Sequence, residues 1–152
     1  MPEAWRVVKA KHVATAFSGE GAAKAGGRWN SRGVSVVYTS SSRSLAVLET
    51  LVHLIPPVTF HYKIIRVTFT DTMVEPVKAE TLPSDWQAEP PPLSTKQLGD
   101  EWVRSGRSAV LAVPSVIIRG EINYLLNAAH PEFKKISIGK PADFTFDPRL
   151  LS

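Results

Sequence analysis

The apolar residues of this chain alternate between two spacings, and each spacing predicts its own kind of element. Trp5–Val8 reads as a short opening strand, in which Arg6 faces away from Trp5 and Val7. His12 to Gly27 is rich in Ala and Gly and has little period, so it reads as a long loop with one helical turn near Gly21–Ala25. Val34–Thr39 returns to a spacing of two: Val34, Val36 and Tyr38 share one face, and Ser35, Val37 and Thr39 the other. Ser40, Ser41 and Ser42 then offer N-caps for a helix whose stripe is Leu45, Leu48, Leu51, Val52 and Ile55. Pro56-Pro57 end that helix.

His61 to Thr70 is a strand, with Ile65, Val67 and Phe69 on one face. Asp71 to Pro92 carries Pro76, Pro83, Pro90, Pro91 and Pro92, and predicts an irregular excursion around Trp86. Ser94 or Thr95 caps a helix over Lys96–Ser105, with Leu98, Trp102 and Val103 inward and Gly106 closing it. Ala109–Val113 is a continuous apolar run and reads as a central strand, followed after Pro114-Ser115 by Val116–Ile118 as strand or extended chain. The spacing leaves Glu121–Asn127 open between helix and strand. Turn chemistry runs from Asn127 to Pro131; Phe133–Ile138 reads as a strand and Phe144–Phe146 as a last edge strand. Strands and helices mix without repeats, so the expected class is α+β: central β-sheets with a few flanking helices, in one domain over residues 1–152.

Composition narrows the classes. A length of 152 residues suffices for one core, and 43% hydrophobic with 21% charged residues is the balance of a soluble globular chain. No apolar run approaches the roughly 20 residues of a membrane span, and the amino terminus has no continuous apolar core of a signal peptide. The absence of cysteine excludes disulfides and thiolate metal sites, and fits a reducing cytoplasm. The net charge of +4 comes from scattered lysines and arginines without a dense basic block. A solvated surface accounts for them better than a nucleic-acid stripe does.

Candidate chemistry concentrates between Gly26 and His53. Gly26-Gly27 precede Arg28, whose planar fork of donors suits a phosphate or carboxylate. Tyr38 closes the next strand, and Glu49 stands at the margin of the next helix's apolar stripe, with Leu45 and His53 as its i−4 and i+4 neighbours. Taken singly, these are an ordinary loop charge, a strand-end aromatic and a solvated acid. Together, a cation, a phenol and a carboxylate suit an anionic, ring-bearing ligand. Ser115 follows a buried strand and a proline, where a hydroxyl meets ligands at a sheet end. There is no P-loop, no GxGxxG, no HExxH and no GxSxG, and the four histidines are too dispersed for a metal site.

Several short segments in order carry a resemblance. They are Gly27-Arg28-Trp29-Asn30 with Gly33, Val37-Tyr38-Thr39-Ser40, and Leu45-Ala46-Val47-Leu48-Glu49 running to His53-Leu54. Val113-Pro114-Ser115, Asn127-Ala128-Ala129-His130-Pro131 with Phe133, and Phe146-Asp147-Pro148-Arg149-Leu150 follow. In this set the chain resembles the RES-domain family, the toxin components of bacterial toxin–antitoxin pairs. Ala128 stands where the family pattern has proline, and residues 71–93 match little.

The resemblance implies a fold similar to the ADP-ribosyltransferases and an activity on NAD, as a glycohydrolase or phosphorolase, with NAD as substrate and no further cofactor. It implies a small helix-turn-helix, DNA-binding antitoxin as partner. It sets the family's arginine on Arg28, tyrosine on Tyr38, glutamate on Glu49 and serine on Ser115, with Asn127 as a further pocket residue. In such a site Arg28 would clamp the pyrophosphate, Tyr38 stack on the nicotinamide or ribose, and Ser115 orient the ribose or amide. Glu49 would face the cationic sugar that forms as nicotinamide leaves. Nicotinamide departs as a neutral base and needs little acid assistance, which suits a stretch where Glu49 is the only carboxylate between Glu20 and Asp71. Two alternatives stand beside this reading: transfer of ADP-ribose to a protein, and a basic module that binds nucleic acid without catalysis.

Overall fold

β-Branched and aromatic runs pair into a single eight-stranded sheet, described for residues 1–55, 58 and 61–151 of a computed structural model. The strands are β1 (Glu3–Lys9), β2 (Val37–Ser40), β3 (Tyr62–Thr68) and β4 (Val74–Pro76). They continue with β5 (Val110–Pro114), β6 (Ile122–Leu126), β7 (Ser137–Ile138) and β8 (Ala142–Phe144). Their order is β4-β5-β6-β2-β1-β3-β7, with β8 beside β3. Every pairing is antiparallel except β4 with β5. Three α-helices are described: α1 (Glu20–Ala25), α2 (Arg43–Leu51) and α3 (Leu93–Ser105). The expected mixed α+β architecture is therefore found. No helix among the described residues is long and apolar enough to cross a membrane.

Both faces of the sheet are apolar, and the register sorts the side chains between them. Val37 pairs with Leu126 and Leu126 with Val110, and all three join a cluster with Ala4, Val67 and Phe69. One residue along, Tyr38, Leu125 and Leu111 pair and point to the other face, where they meet Val36, Trp29 and Trp102. Trp5 and Val7 pack with Ala46 of α2, which fixes that helix on the sheet. Arg6 turns the opposite way, as its place between them requires. Its Nε donates to the Ala16 carbonyl at 2.7 Å and its Nη1 to the Tyr38 carbonyl at 3.0 Å, while burial lowers its guanidinium to about 10.

Several expectations are corrected by local chemistry. Glu121–Asn127 supplies β6, which lies between β2 and β5. Val116–Ile118 does not extend β5, because the Ser115 Oγ accepts the amides of Ile117 and Ile118 and turns the chain. The first half of the strand expected over Phe133–Ile138 belongs to a 3-10 turn, Pro131–Lys135, started by Pro131 and by His130, whose ring accepts the Glu132 amide. Only Ser137–Ile138 pairs with β3, and the final edge strand ends at Phe144. Within the excursion of residues 71–92, Val74–Pro76 pairs with β5. α3 begins at Leu93 directly after Pro92; Ser94 and Thr95 lie in its first turn and do not cap it. Ser42 caps α2 by accepting the Leu45 amide at 3.1 Å. That helix stops at Leu51, so its apolar stripe stops there as well; Val52 is exposed and Ile55 is 86% exposed. Pro56 and Pro57 lie outside the described residues.

Candidate active site

The loop bearing Arg28 is held from three sides. Tyr38 Oη donates to Asn30 Oδ1 at 2.6 Å and accepts the Trp29 amide at 3.1 Å. Asn30, fully buried, gives its Nδ2 to the carbonyls of Ala22, Ser31 and Val34. From α3, Asp100 accepts the Ser31 amide at 2.8 Å and Lys96 Nζ donates to the Gly27 carbonyl at 2.7 Å. Gly27 has a steric reason as well: a Cβ there would stand 2.6 Å from the Tyr38 hydroxyl. The glycine thus makes room for a phenol of the same chain. Burial raises the Tyr38 pKa, so the hydroxyl stays protonated and keeps donating. Tyr38→Phe would leave Asn30 Oδ1 and the Trp29 amide unpaired. It is expected to cost about 1–3 kcal/mol, read as a lower Tm in thermal unfolding.

Arg28 is anchored at one end. Its Nη1 donates to the carbonyls of Trp86 and Ala88 at 2.9 and 2.7 Å, and its Nη2 to the Glu89 carboxylate at 2.7 Å. The Arg28 side chain is 13% exposed and Glu89 74%, so the carbonyl bonds hold the guanidinium more firmly than the ion pair does. With three of its five donors engaged, Nε–H and the second Nη2–H remain, and no other described residue takes them. These remaining donors suit an oxygen of a phosphate or carboxylate.

Glu49 projects from α2 onto the end of β6. Its Oε2 accepts from Asn123 Nδ2 at 2.6 Å, and Asn123 Oδ1 in turn accepts the Ser40 hydroxyl at 2.7 Å. Glu49 is half-buried, and that burial raises its pKa. The Asn123 bond and the nearby charges of His53 and Arg28 pull it back down. The field of Arg28 thus reaches Glu49, and it reaches Tyr38 too. Arg28, Tyr38 and Glu49, on a loop, a strand and a helix, come to one face of the sheet.

Ser115 and Asn127 sit at opposite ends of β6. Ser115 follows Val113 and Pro114, the partners of Asn123 and Ile122, so it belongs to the Glu49 end. It is buried, and its Oγ accepts two backbone amides of the turn after β5. Asn127 lies beyond the other end, about 13 Å along the strand from Asn123. Its Oδ1 accepts the Ala129 amide at 3.0 Å. There it lines a separate concavity of about 460 Å³ with Ser18, Val34, Ser35 and Arg104. Asn123 and Ser40 were not among the residues predicted. Their polar side chains on a core-facing strand surface were a signal, but only the β2–β6 register makes them opposite neighbours.

The RES domain profile matches residues 3–147. The chain is 37% identical over 148 residues to "Toxin Res" of Yersinia enterocolitica, covering 96% of this chain and 97% of that one. It is 39% identical over 156 aligned positions to the "Prs ADP-ribosylating toxin" of Sphingobium sp., covering 97% and 95%. Its fold matches a chain in the crystal structure of the M. tuberculosis MbcT–MbcA toxin–antitoxin complex with a TM-score of 0.74 at 19% identity, covering 95% of this chain and 84% of that chain. On the profile match and these identities, the chain belongs to the RES-domain family.

Proposed function

We propose that this protein is the toxin of a toxin–antitoxin pair and that it consumes NAD by breaking the nicotinamide–ribose bond. The observation that carries this reading is the Glu49 carboxylate. It is half-buried, held at one oxygen by Asn123, and lies within the field of an arginine that keeps two donors available. As the bond breaks, positive charge develops on the ribose. A fixed carboxylate stabilises that charge more in the transition state than in the substrate, which is what accelerates a reaction. The remaining donors of Arg28 would take the pyrophosphate, the Tyr38 ring would flank the base or sugar, and Ser115 would stand at the ribose or amide. Asn127, in its separate concavity at the far end of β6, would not meet the reacting sugar. NAD is the substrate, and the cleavage asks for no separate cofactor.

Transfer of ADP-ribose to a protein is the second reading, favoured by the name of the Sphingobium relative. Both reactions use the same site and differ in the acceptor. Incubation with NAD labelled in the adenylate separates them: free ADP-ribose or its phosphate supports the first, and label retained on protein supports the second. Retention of all the nicotinamide would end both. Arg28→Ala is expected to raise KM for NAD by about 10–100-fold, the worth of one or two lost charge-assisted bonds, with a smaller change in kcat. As partner we propose an antitoxin carrying a helix-turn-helix DNA-binding domain, in the cytoplasm. The likeness to the MbcT–MbcA complex supports an antitoxin partner.

A further inference from the structure

We propose that Asn123, backed by Ser40, is the positioning residue that aims the Glu49 carboxylate. The inference rests on the reading of Glu49 as the group that faces the reacting sugar. Antiparallel pairing sets Ser40 directly opposite Asn123, so both arise from the sheet and neither depends on a loop for its place. The Ser40 hydroxyl donates to Asn123 Oδ1, which leaves the Nδ2 end of the amide to face Glu49. A flipped amide would turn its oxygen toward a carboxylate oxygen and lose the bond to Glu49, although the Ser40 hydroxyl could still accept from it. The bonds run in one sense: the Ser40 hydroxyl proton goes to the amide oxygen, and the amide proton goes to the acid, which only the Nδ2 end can supply.

The consequence falls on the second carboxylate oxygen. Oε2 is taken by Asn123, while Oε1 has no hydrogen-bond partner among the described residues. One oxygen anchors the carboxylate and the other is left for the ligand. A half-buried glutamate on a helix would otherwise sample several rotamers, and holding one of them ready reduces the ordering required at the moment of reaction. The charged groups facing Glu49 are Arg28 from the loop and His53 from its own helix end, and both favour the ionised acid together with Asn123. Asn123 alone among the three supplies direction as well as stabilisation.

The test compares wild type, Asn123→Ala, Asn123→Asp, Ser40→Ala and Glu49→Gln. The readouts are the pH profile of NAD cleavage and the carboxyl ¹³C titration of Glu49. Asn123→Ala is expected to lower kcat by about 10–100-fold with KM within about twofold, since a charge-assisted bond made to the reacting group is lost. The acid limb of kcat and the Glu49 titration should both move to higher pH. Asn123→Asp should move them further, because a second carboxylate opposes ionisation of the first. Ser40→Ala should move them less, in the same direction. A merely structural role would lower kcat without moving either midpoint, and that result overturns the inference. If Asn123→Ala fails to fold, the Ser40→Ala titration decides, and an unmoved midpoint overturns it. A wild type that releases no nicotinamide removes the NAD reading, while the titrations still decide whether Asn123 controls Glu49.

Discussion

Glu49→Gln is expected to lower nicotinamide release from NAD by about 10²–10³-fold, the usual cost of deleting one preorganised contact to developing charge. Gln keeps the shape and can still accept the Asn123 amide, so positioning survives and only the negative charge is lost. Loss of kcat with KM nearly unchanged is therefore the expected pattern. The same substitution should stabilise the fold near neutral pH. Burial holds the Glu49 pKa above the ordinary carboxylate value, so the folded protein binds that proton more tightly than the unfolded chain. The resulting stabilisation is complete below the unfolded pKa and is lost as pH rises through the folded one. Above both, the ionised acid is a net burden. Glu49→Gln should accordingly raise Tm at pH 7 to 8, and the gain should shrink on acidification. Turnover at the wild-type rate would remove Glu49 from the chemistry; a lower Tm at neutral pH would mean that its charge supports the fold.

Gly99→Ala is expected to be the most damaging single methyl in the molecule. Helix propensity alone favours alanine in a helix interior by about 0.5–1 kcal/mol. Sterics oppose it and win. A Cβ at this position of α3 would lie 1.6 Å from the Trp29 carbonyl oxygen and 2.7 Å from its carbon, and both are backbone atoms with no rotamer to change. Relief needs α3 and the Arg28 loop to separate, which strains the bonds from Asp100 to Ser31 and from Lys96 to Gly27. Overpacking of this kind costs about 1–3 kcal/mol and at times more; a clash with backbone belongs at the upper end, near 3 kcal/mol. At about 2–4 °C per kcal/mol for a chain of this size, Tm should fall by about 6–12 °C. NAD affinity should fall with it, because the loop that presents Arg28 is displaced. A Tm within about 2 °C of wild type would show that the helix can slide away from Trp29 at little cost.

Much of this architecture is written locally. The Ser42 cap, the buried Leu45 of the helix stripe and the alternation through Val36, Val37 and Tyr38 can be read directly from spacing. What could not be read locally depends on pairing between distant segments. β6 was ambiguous because Leu125 and Leu126 are buried on opposite faces, which erases the period-two signal. Asn123 gains its role only once β2 lies beside β6. Tyr38 was read as a ligand-stacking ring, yet its hydroxyl is committed to the loop, a bond formed across a turn that spacing does not specify. Gly99 was legible in principle: an isolated glycine inside a helical pattern marks a close approach, though not what approaches. Arg28, Tyr38, Glu49 and Ser115 stand out by chemical type, but only the family pattern assigns them roles in one site. Side-chain spacing alone did not bring Arg28 to Glu49.

The anchoring of Arg28 has an evolutionary corollary. Two of its three bonds end on main-chain oxygens, at Trp86 and Ala88. A carbonyl is offered by every amino acid, so those bonds are blind to the identity of the residues that provide them. Substitutions at positions 87 and 88 can accumulate freely while the path of the backbone is kept, and relatives can differ widely there without disturbing the arginine. A stretch that matches little by sequence can still be under tight geometric constraint.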